Sequence, residues 1–106
     1  NMSSESMEYI WGCLMEDCEY DNEKNIIDQL ANSYVKKIEK PIYGEDIEII
    51  ETGKRMPVDL IWKASKVMLF LNEGYEDYLE AKKTGWSCYC TKEKFDINEF
   101  LEKIEV

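Results

Sequence analysis

The sequence predicts a mixed α/β domain in which a four-stranded mixed sheet is flanked by helices. Three observations predict it. Apolar residues recur at helical spacing in the first third of the chain and again at its end. From Asp46 the period shortens into three strand-like runs joined by two short turns. A further helical stripe then leads into a fourth strand-like run. The order is α-α-β-β-β-α-β-α: an αβββαβ core with an added helix ahead of it and a terminal helix behind.

Met7, Ile10, Trp11, Leu14, Met15 and Cys18 form the first stripe, with Ser4 or Ser6 as its cap. Asp21-Asn22 breaks it. Ile26, Ile27, Leu30, Ala31, Tyr34, Val35 and Ile38 form the second stripe, a helix from about Asn22 to Glu39 that Pro41 ends. Asp46-Ile-Glu-Ile-Ile-Glu51 has strand composition, Thr52 to Arg55 reads as a turn, and Val58 to Trp62 is the second strand. Lys63 to Lys66 turns again. Val67-Met-Leu-Phe-Leu71 is continuously apolar, as suits a central strand covered on both faces. Two short connections imply an antiparallel meander. Tyr75, Tyr78 and Leu79 repeat at helical spacing up to Gly85, a suitable stop. Trp86 to Cys90 is the fourth strand, reached by a helical crossover that favours a parallel relation to the third. Asp96 caps a last helix carrying Ile97, Phe100, Leu101 and Ile104.

The chain has 106 residues, the length of one domain. Residues 1–21 read as the added helix and 22–106 as the core. Asn1 ahead of Met2 reads as a remnant before a start, and the chain as a domain cut from a longer protein. With 23 acidic and 13 basic residues the net charge is −10, which argues against tight nucleic-acid binding through bulk electrostatics. There is no histidine, which excludes a Ser-His-Asp triad, a Cys-His dyad and a His-ligated zinc centre. Acid–base work would fall to carboxylates, Lys, Tyr or Cys. No apolar run approaches the ~18 residues of a membrane span, and no signal peptide is visible, so the expected compartment is the cytoplasm.

Cys13, Cys18, Cys88 and Cys90 are then expected as free thiols. Cys88 and Cys90 share a sheet face, whereas Cys13 and Cys18 stand about 140° apart around a helix. A zinc centre usually uses a tighter knuckle, so small buried hydrophobes are the preferred reading over zinc or a disulfide.

Pro57-Val58-Asp59-Leu60-Ile61-Trp62 resembles the "P-D-ϕ-ϕ-W" strand (ϕ apolar) of the PD-(D/E)XK, or restriction-endonuclease-like, superfamily, with one residue inserted after the proline. Lys66 to Leu71 resembles the strand that follows. Tyr75-Glu-Asp-Tyr, Lys83-Thr-Gly-Trp86 and Cys88-Tyr-Cys90 are similar to the crossover helix and the "G-W-ϕ-ϕ-ϕ" strand, and Phe95-Asp-Ile97 with Phe100-Leu101 to a terminal helix. The resemblance covers roughly Ile26 to Ile104. It is greatest to the C-terminal nuclease-like domain of some bacterial DEAD/DEAH-box helicases.

The resemblance implies a Mg²⁺ or Mn²⁺ site. An Asp on the second strand and an acid on the third hold the metal, and a Lys two residues on helps activate water. Asp59 stands at the first position. The third strand supplies neither acid nor Lys. Rescue would need migrated groups: Glu51, Glu39, Glu73 or Lys82. The resemblance therefore implies a catalytically degraded accessory or interaction module beside a helicase engine. No Walker A loop is present to hydrolyse ATP. The alternatives are a Mg/Mn-dependent nuclease built on Asp59 with migrated ligands, and a stand-alone acidic protein that binds a basic partner.

Asp59 also has an ordinary reading, as a carboxylate near a strand end paired with Lys54 or Lys66. Lys54 and Arg55, with Lys63 and Lys66 in the next turn, form a small basic spot, but they sit at opposite ends of the second strand and need not form one patch; they read as solvated surface ahead of a weak nucleic-acid contact. The stripe of Met7, Trp11, Leu14 and Met15 either covers a face of the domain or stays exposed for a parent, a partner or a second copy. A homodimer through this helix would be weakened by Trp11→Asp.

Overall fold

The computed structural model describes residues 6–33, 39–50 and 52–105. Helices α1 (Met7–Asp17) and α2 (Asp21–Ser33) are followed by β1 (Ile42–Ile49), β2 (Lys54–Trp62) and β3 (Val67–Phe70). A single 3-10 turn, Asn72–Gly74, leads into α3 (Tyr75–Ala81). A second, Lys82–Thr84, leads to β4 (Ser87–Cys90), and α4 (Ile97–Ile104) closes the chain. The sheet order is β1-β2-β3-β4. The first three strands are antiparallel neighbours, and β4 lies parallel to β3. The element order and mixed sheet are those the sequence predicts. No helix among the described residues is long and apolar enough to cross a membrane.

Two cores lie on the two faces of the sheet. Val67 and Leu69 of β3 face α1, α2 and α4, where Ile10, Leu14, Ile27, Leu30, Phe100 and Ile104 are buried. Met68 and Phe70 face α3, where Tyr78 and Ala81 are buried. All four β3 side chains are therefore covered, which is why the run is continuously apolar. Phe100 anchors α4, meeting Trp62 edge-on at 5.2 Å and Tyr89 at 5.0 Å between ring centroids.

Several boundaries differ from the sequence expectation. Asp21-Asn22 is not a break but the first turn of α2; the break falls at residues 18–20. Glu39 lies in the connection to β1, outside any helix, and Tyr34, Val35 and Ile38 lie outside the described residues. β1 begins at Ile42 rather than Asp46, and β2 at Lys54 rather than Val58. Ser6 caps α1 by accepting the Tyr9 amide at 3.1 Å, and Asp96 caps α4 by accepting the Glu99 amide at 3.0 Å.

The β1–β2 hairpin outruns its neighbour. β3 pairs with β2 only from Leu60 to Trp62, so Lys54 to Asp59 have β1 alone beside them. In that outer half the alternation slips. Leu60 and Trp62 belong to the three-helix core, but Met56 and Val58, of the same parity, belong to the α3 core. The change falls at Asp59. Across from it, between the pairs Tyr43↔Leu60 and Glu45↔Val58, stands Gly44 with φ +71°, a backbone state open to glycine without a Cβ penalty. The outer hairpin thus lies on the α3 side of the sheet.

Candidate functional site

The parallel strands β3 and β4 end side by side, and a cleft of about 270 Å³ opens beyond them, lined by Tyr20, Asn22, Asn72, Glu73 and Lys92. In open α/β sheets the carboxyl ends of strands are where ligands collect. The chain leaving β3 supplies Asn72 and Glu73, the chain leaving β4 supplies Thr91 and Lys92, and the first turn of α2 supplies Asn22. Polar bonds lock the three together. Thr91 Oγ1 donates to Asn72 Oδ1 at 2.7 Å, and Asn72 Nδ2 donates to Asn22 Oδ1 at 3.1 Å. Asn22 Nδ2 donates to the Thr91 carbonyl at 3.1 Å. Lys92 Nζ lies 4.7 Å from the centroid of the Tyr75 ring.

Glu23 is the least exposed charged residue here, at 0% accessibility. It is the third residue of α2, and its Oε1 accepts the amides of Glu19 and Tyr20, both at 2.9 Å. This is the reach-back half of a capping box, made without the usual small polar residue at the cap. Oε2 accepts the Asn72 amide at 2.7 Å, which ties the α1–α2 connection to the end of β3. Burial opposes its charge, but the bond with Glu73 and the three amides outweigh burial and hold Glu23 below the usual carboxylate value. Glu73 takes the opposite shift. Burial first, and then its bond to Glu23, push it up to about 7, so the pair shares a proton that rests on Glu73 near neutrality.

Asp59 Oδ2 accepts the Leu71 amide at 2.8 Å, closing the end of β3 against β2. Burial pushes Asp59 above the usual range, the Leu71 amide pulls it back, and Asp17, Glu23 and Asp77 push it up again. The same negative field acts on Cys18. Burial, then Glu23, Glu73, Asp17 and Asp59 push its thiol up to about 11. Tyr43 donates its hydroxyl to Asp17 Oδ2 at the edge of this region.

The residues singled out in the sequence fall into separate places. Asp59 and Glu73 come to the same end of the sheet. Glu51 lies outside the described residues. Glu39 does not join them; its carboxylate accepts the Ala64 amide at 2.7 Å and the Ser65 amide and hydroxyl at 2.9 and 2.6 Å, closing the β2–β3 turn at the start of β3. Lys82 lies 5.2 Å from the Tyr78 ring centroid on the α3 face. The expected partners of Asp59, Lys54 and Lys66, make no ion pair with it among the described residues; the Leu71 amide is its partner instead. Nor do the basic residues form one spot. Lys54 and Arg55 open β2, Lys63 and Lys66 follow its end, and Arg55 and Lys63 pair with Glu48 and Glu45.

All four cysteines are free. Cys18 is buried in the three-helix core and Cys90 in the α3 core, so the sheet stands between them. Burial pushes the Cys88 thiol up to about 11 and raises Cys90 as well. The N-terminal stripe is also taken up by the chain itself. Ile10, Trp11 and Leu14 are buried in the three-helix core, so α1 is part of that core and has no free apolar stripe to offer a second copy.

The donors do not fit the metal centre that the resemblance implies. β3 brings only apolar side chains, all buried, and one oxygen of Asp59 is engaged by backbone. Among the described residues no group of three or more Asp, Glu or Cys converges as a donor set. No family model matches the chain, and no curated protein or solved structure matches it either.

Proposed function

We propose that the chain is an interaction module on a nuclease-like scaffold whose metal chemistry is degraded, acting in the cytoplasm as an accessory to a helicase engine carried elsewhere. The observation that carries this reading is the bond from the Leu71 amide to Asp59 Oδ2. The one residue that matches the family's metal-holding Asp serves here to close the sheet. Glu23, the buried carboxylate beside it, is likewise committed to three backbone amides. These backbone N–H donors take up part of each carboxylate's acceptor capacity and use it to close the fold.

The test is a Mn²⁺ titration followed by amide NMR, paired with nuclease assays on single- and double-stranded DNA. The expected result is diffuse broadening over the acidic surface and no cutting. Broadening focused on Asp59 and its sheet neighbours at sub-millimolar Mn²⁺, with metal-dependent cutting lost in Asp59→Asn, overturns the reading in favour of a nuclease.

A further inference from the structure

We propose that the cleft beyond the ends of β3 and β4 binds a small zwitterion, a free α-amino acid with an apolar side chain, its ammonium group taken by Glu73 and its carboxylate by Lys92. The proposal goes beyond the function proposed above and does not depend on it.

The cleft holds about 270 Å³. That is just under the roughly 300–1,000 Å³ of sites for drug-sized ligands, so it suits a smaller molecule. Its floor is fixed before a ligand arrives, because Asn22, Asn72 and Thr91 come from three separate segments and are bonded to one another. Asn22 Oδ1 accepts one bond and Asn72 Nδ2 donates one, which leaves an acceptor and a donor with capacity to spare. One suits an ammonium and the other a carboxylate. Tyr20, another lining residue, is 55% exposed and offers a ring face to an apolar side chain.

Charge selects the ligand. The lining carries one Lys and one Glu, and they do not pair with each other. Lys92 lies over the Tyr75 ring and meets no carboxylate among the described residues. Glu73 meets no Lys or Arg among them, and its side-chain partner is Glu23. Glu23 is already committed to three amides, so Glu73 is the carboxyl left to the cleft. A simple anion is opposed by the net charge of −10. A simple cation meets Lys92. A ligand carrying both charges is opposed by neither and pairs both groups.

Glu73 holds the proton of the Glu23–Glu73 pair near neutrality, with a value of about 7. An incoming ammonium takes the place of that proton, which leaves to solvent. The groups around Glu73 are Glu23 from α2, Glu19 and the Cys18 thiol from the connection ahead of it, and Lys92 from the end of β4. The thiol, pushed up to about 11, stays neutral throughout. Binding should therefore tighten as pH rises through 7.

The probes are L-leucine and L-phenylalanine, with 2-phenylethylamine and 3-phenylpropionate as controls that keep one charge each. At millimolar concentration both amino acids are expected to shift the side-chain amide signals of Asn22 and Asn72 and the backbone amide of Lys92. Each control should bind about tenfold more weakly than L-phenylalanine. Titration calorimetry in buffers of different ionisation heat should show proton release at pH 6, and affinity about tenfold higher at pH 7.5 than at pH 6. Glu73→Gln should keep the amide spectrum of α1, α2 and α4 and lose both the affinity and the proton release. Lys92→Gln should lose affinity for the amino acids and leave the binding of 2-phenylethylamine unchanged.

The proposal is overturned if neither amino acid moves these signals, or if Glu73→Gln binds undiminished. It is overturned too if either control binds as tightly as L-phenylalanine, which would assign the cleft to a simple cation or a simple anion. Metal-dependent cutting lost in Asp59→Asn would overturn the function proposed above and leave these signals in place.

Discussion

Glu23 and Asn72 stand 49 positions apart in the chain and are joined by a 2.7 Å bond from the Asn72 amide to the buried Glu23 carboxylate. The same carboxylate accepts the amides of Glu19 and Tyr20, so one side chain fixes the entry of α2 and the exit of β3 together. Removing a buried acceptor leaves its donors unpaired, at about 1–3 kcal/mol for a lost charged bond and more where several are lost. Glu23→Ala should therefore destabilise the fold by about 3 kcal/mol. Glu23→Gln should recover part of that loss, since its amide oxygen can still accept while its NH₂ faces donors. Urea unfolding checks this as a lowered midpoint with unchanged slope.

The Glu23–Glu73 pair makes stability depend on pH in two directions. Glu73 has a folded value of about 7 against the usual 4.5. Its contribution is fully present below 4.5 and is lost as pH rises through 7. Glu23 is held below 4.5, so its contribution is present above that value and lost as pH falls below it. The pair should give a maximum near pH 4.5, a decline from there to about pH 7 and a plateau above it. Glu73→Gln imitates the protonated form and should flatten that decline while leaving the acid limb in place. Urea midpoints at pH 5, 6, 7 and 8 for both proteins decide it; equal declines on the alkaline side would refute the shared proton.

The fold was legible because periodicity and punctuation agreed. The helical stripes of Ile10-Trp11-Leu14 and Phe100-Ile104 are buried, and β3 is covered on both faces. Both hairpin strands start four residues before the point where the period shortens. Gly44 sits inside β1 with positive φ, and Pro57, a plausible element boundary in the sequence, sits inside β2. Proline lacks a ladder donor and is tolerated where one side of a strand is unpaired. β2 has such a stretch from Lys54 to Asp59. In the site, Asp59 and Glu73 could be named from the sequence, but Glu23 could not, because an acid in the first turn of a helix is ordinary. The only local signal was its place three residues after Tyr20, where a capping-box Glu stands. Its bond to Asn72 is long-range and leaves no trace in spacing.

Trp11 tests whether α1 belongs to the fold or to an interface. It is 8% exposed and packs in the three-helix core with Leu14 and Ile27. Truncating a buried aromatic costs about 3–5 kcal/mol through lost burial and a residual cavity. Trp11→Ala should lower the thermal midpoint by many degrees without changing the species seen at low temperature in sedimentation. A variant of unchanged stability but smaller size in solution would place Trp11 at an interface instead.

Lys66 and Gly85 are left-handed positions with opposite choices of residue. Lys66 has φ +58° at the end of the β2–β3 turn, and Gly85 has φ +87° after the second 3-10 turn. The Ser87 amide donates to the Lys66 carbonyl at 3.0 Å, so both conformations serve the start of the β3–β4 pair. A side chain in this region costs roughly 1–2 kcal/mol, and glycine avoids that at the expense of a more flexible unfolded chain. Gly85→Ala meets no atom within 4 Å, so its cost is purely conformational and should be about 1 kcal/mol. Lys66→Gly should stabilise by a few tenths up to about 1 kcal/mol, the strain relieved less the entropy lost. Thermal unfolding of the two variants reads the contrast directly. A stabilised Gly85→Ala, or a Lys66→Gly that loses stability, would show that backbone strain does not govern this end of the sheet.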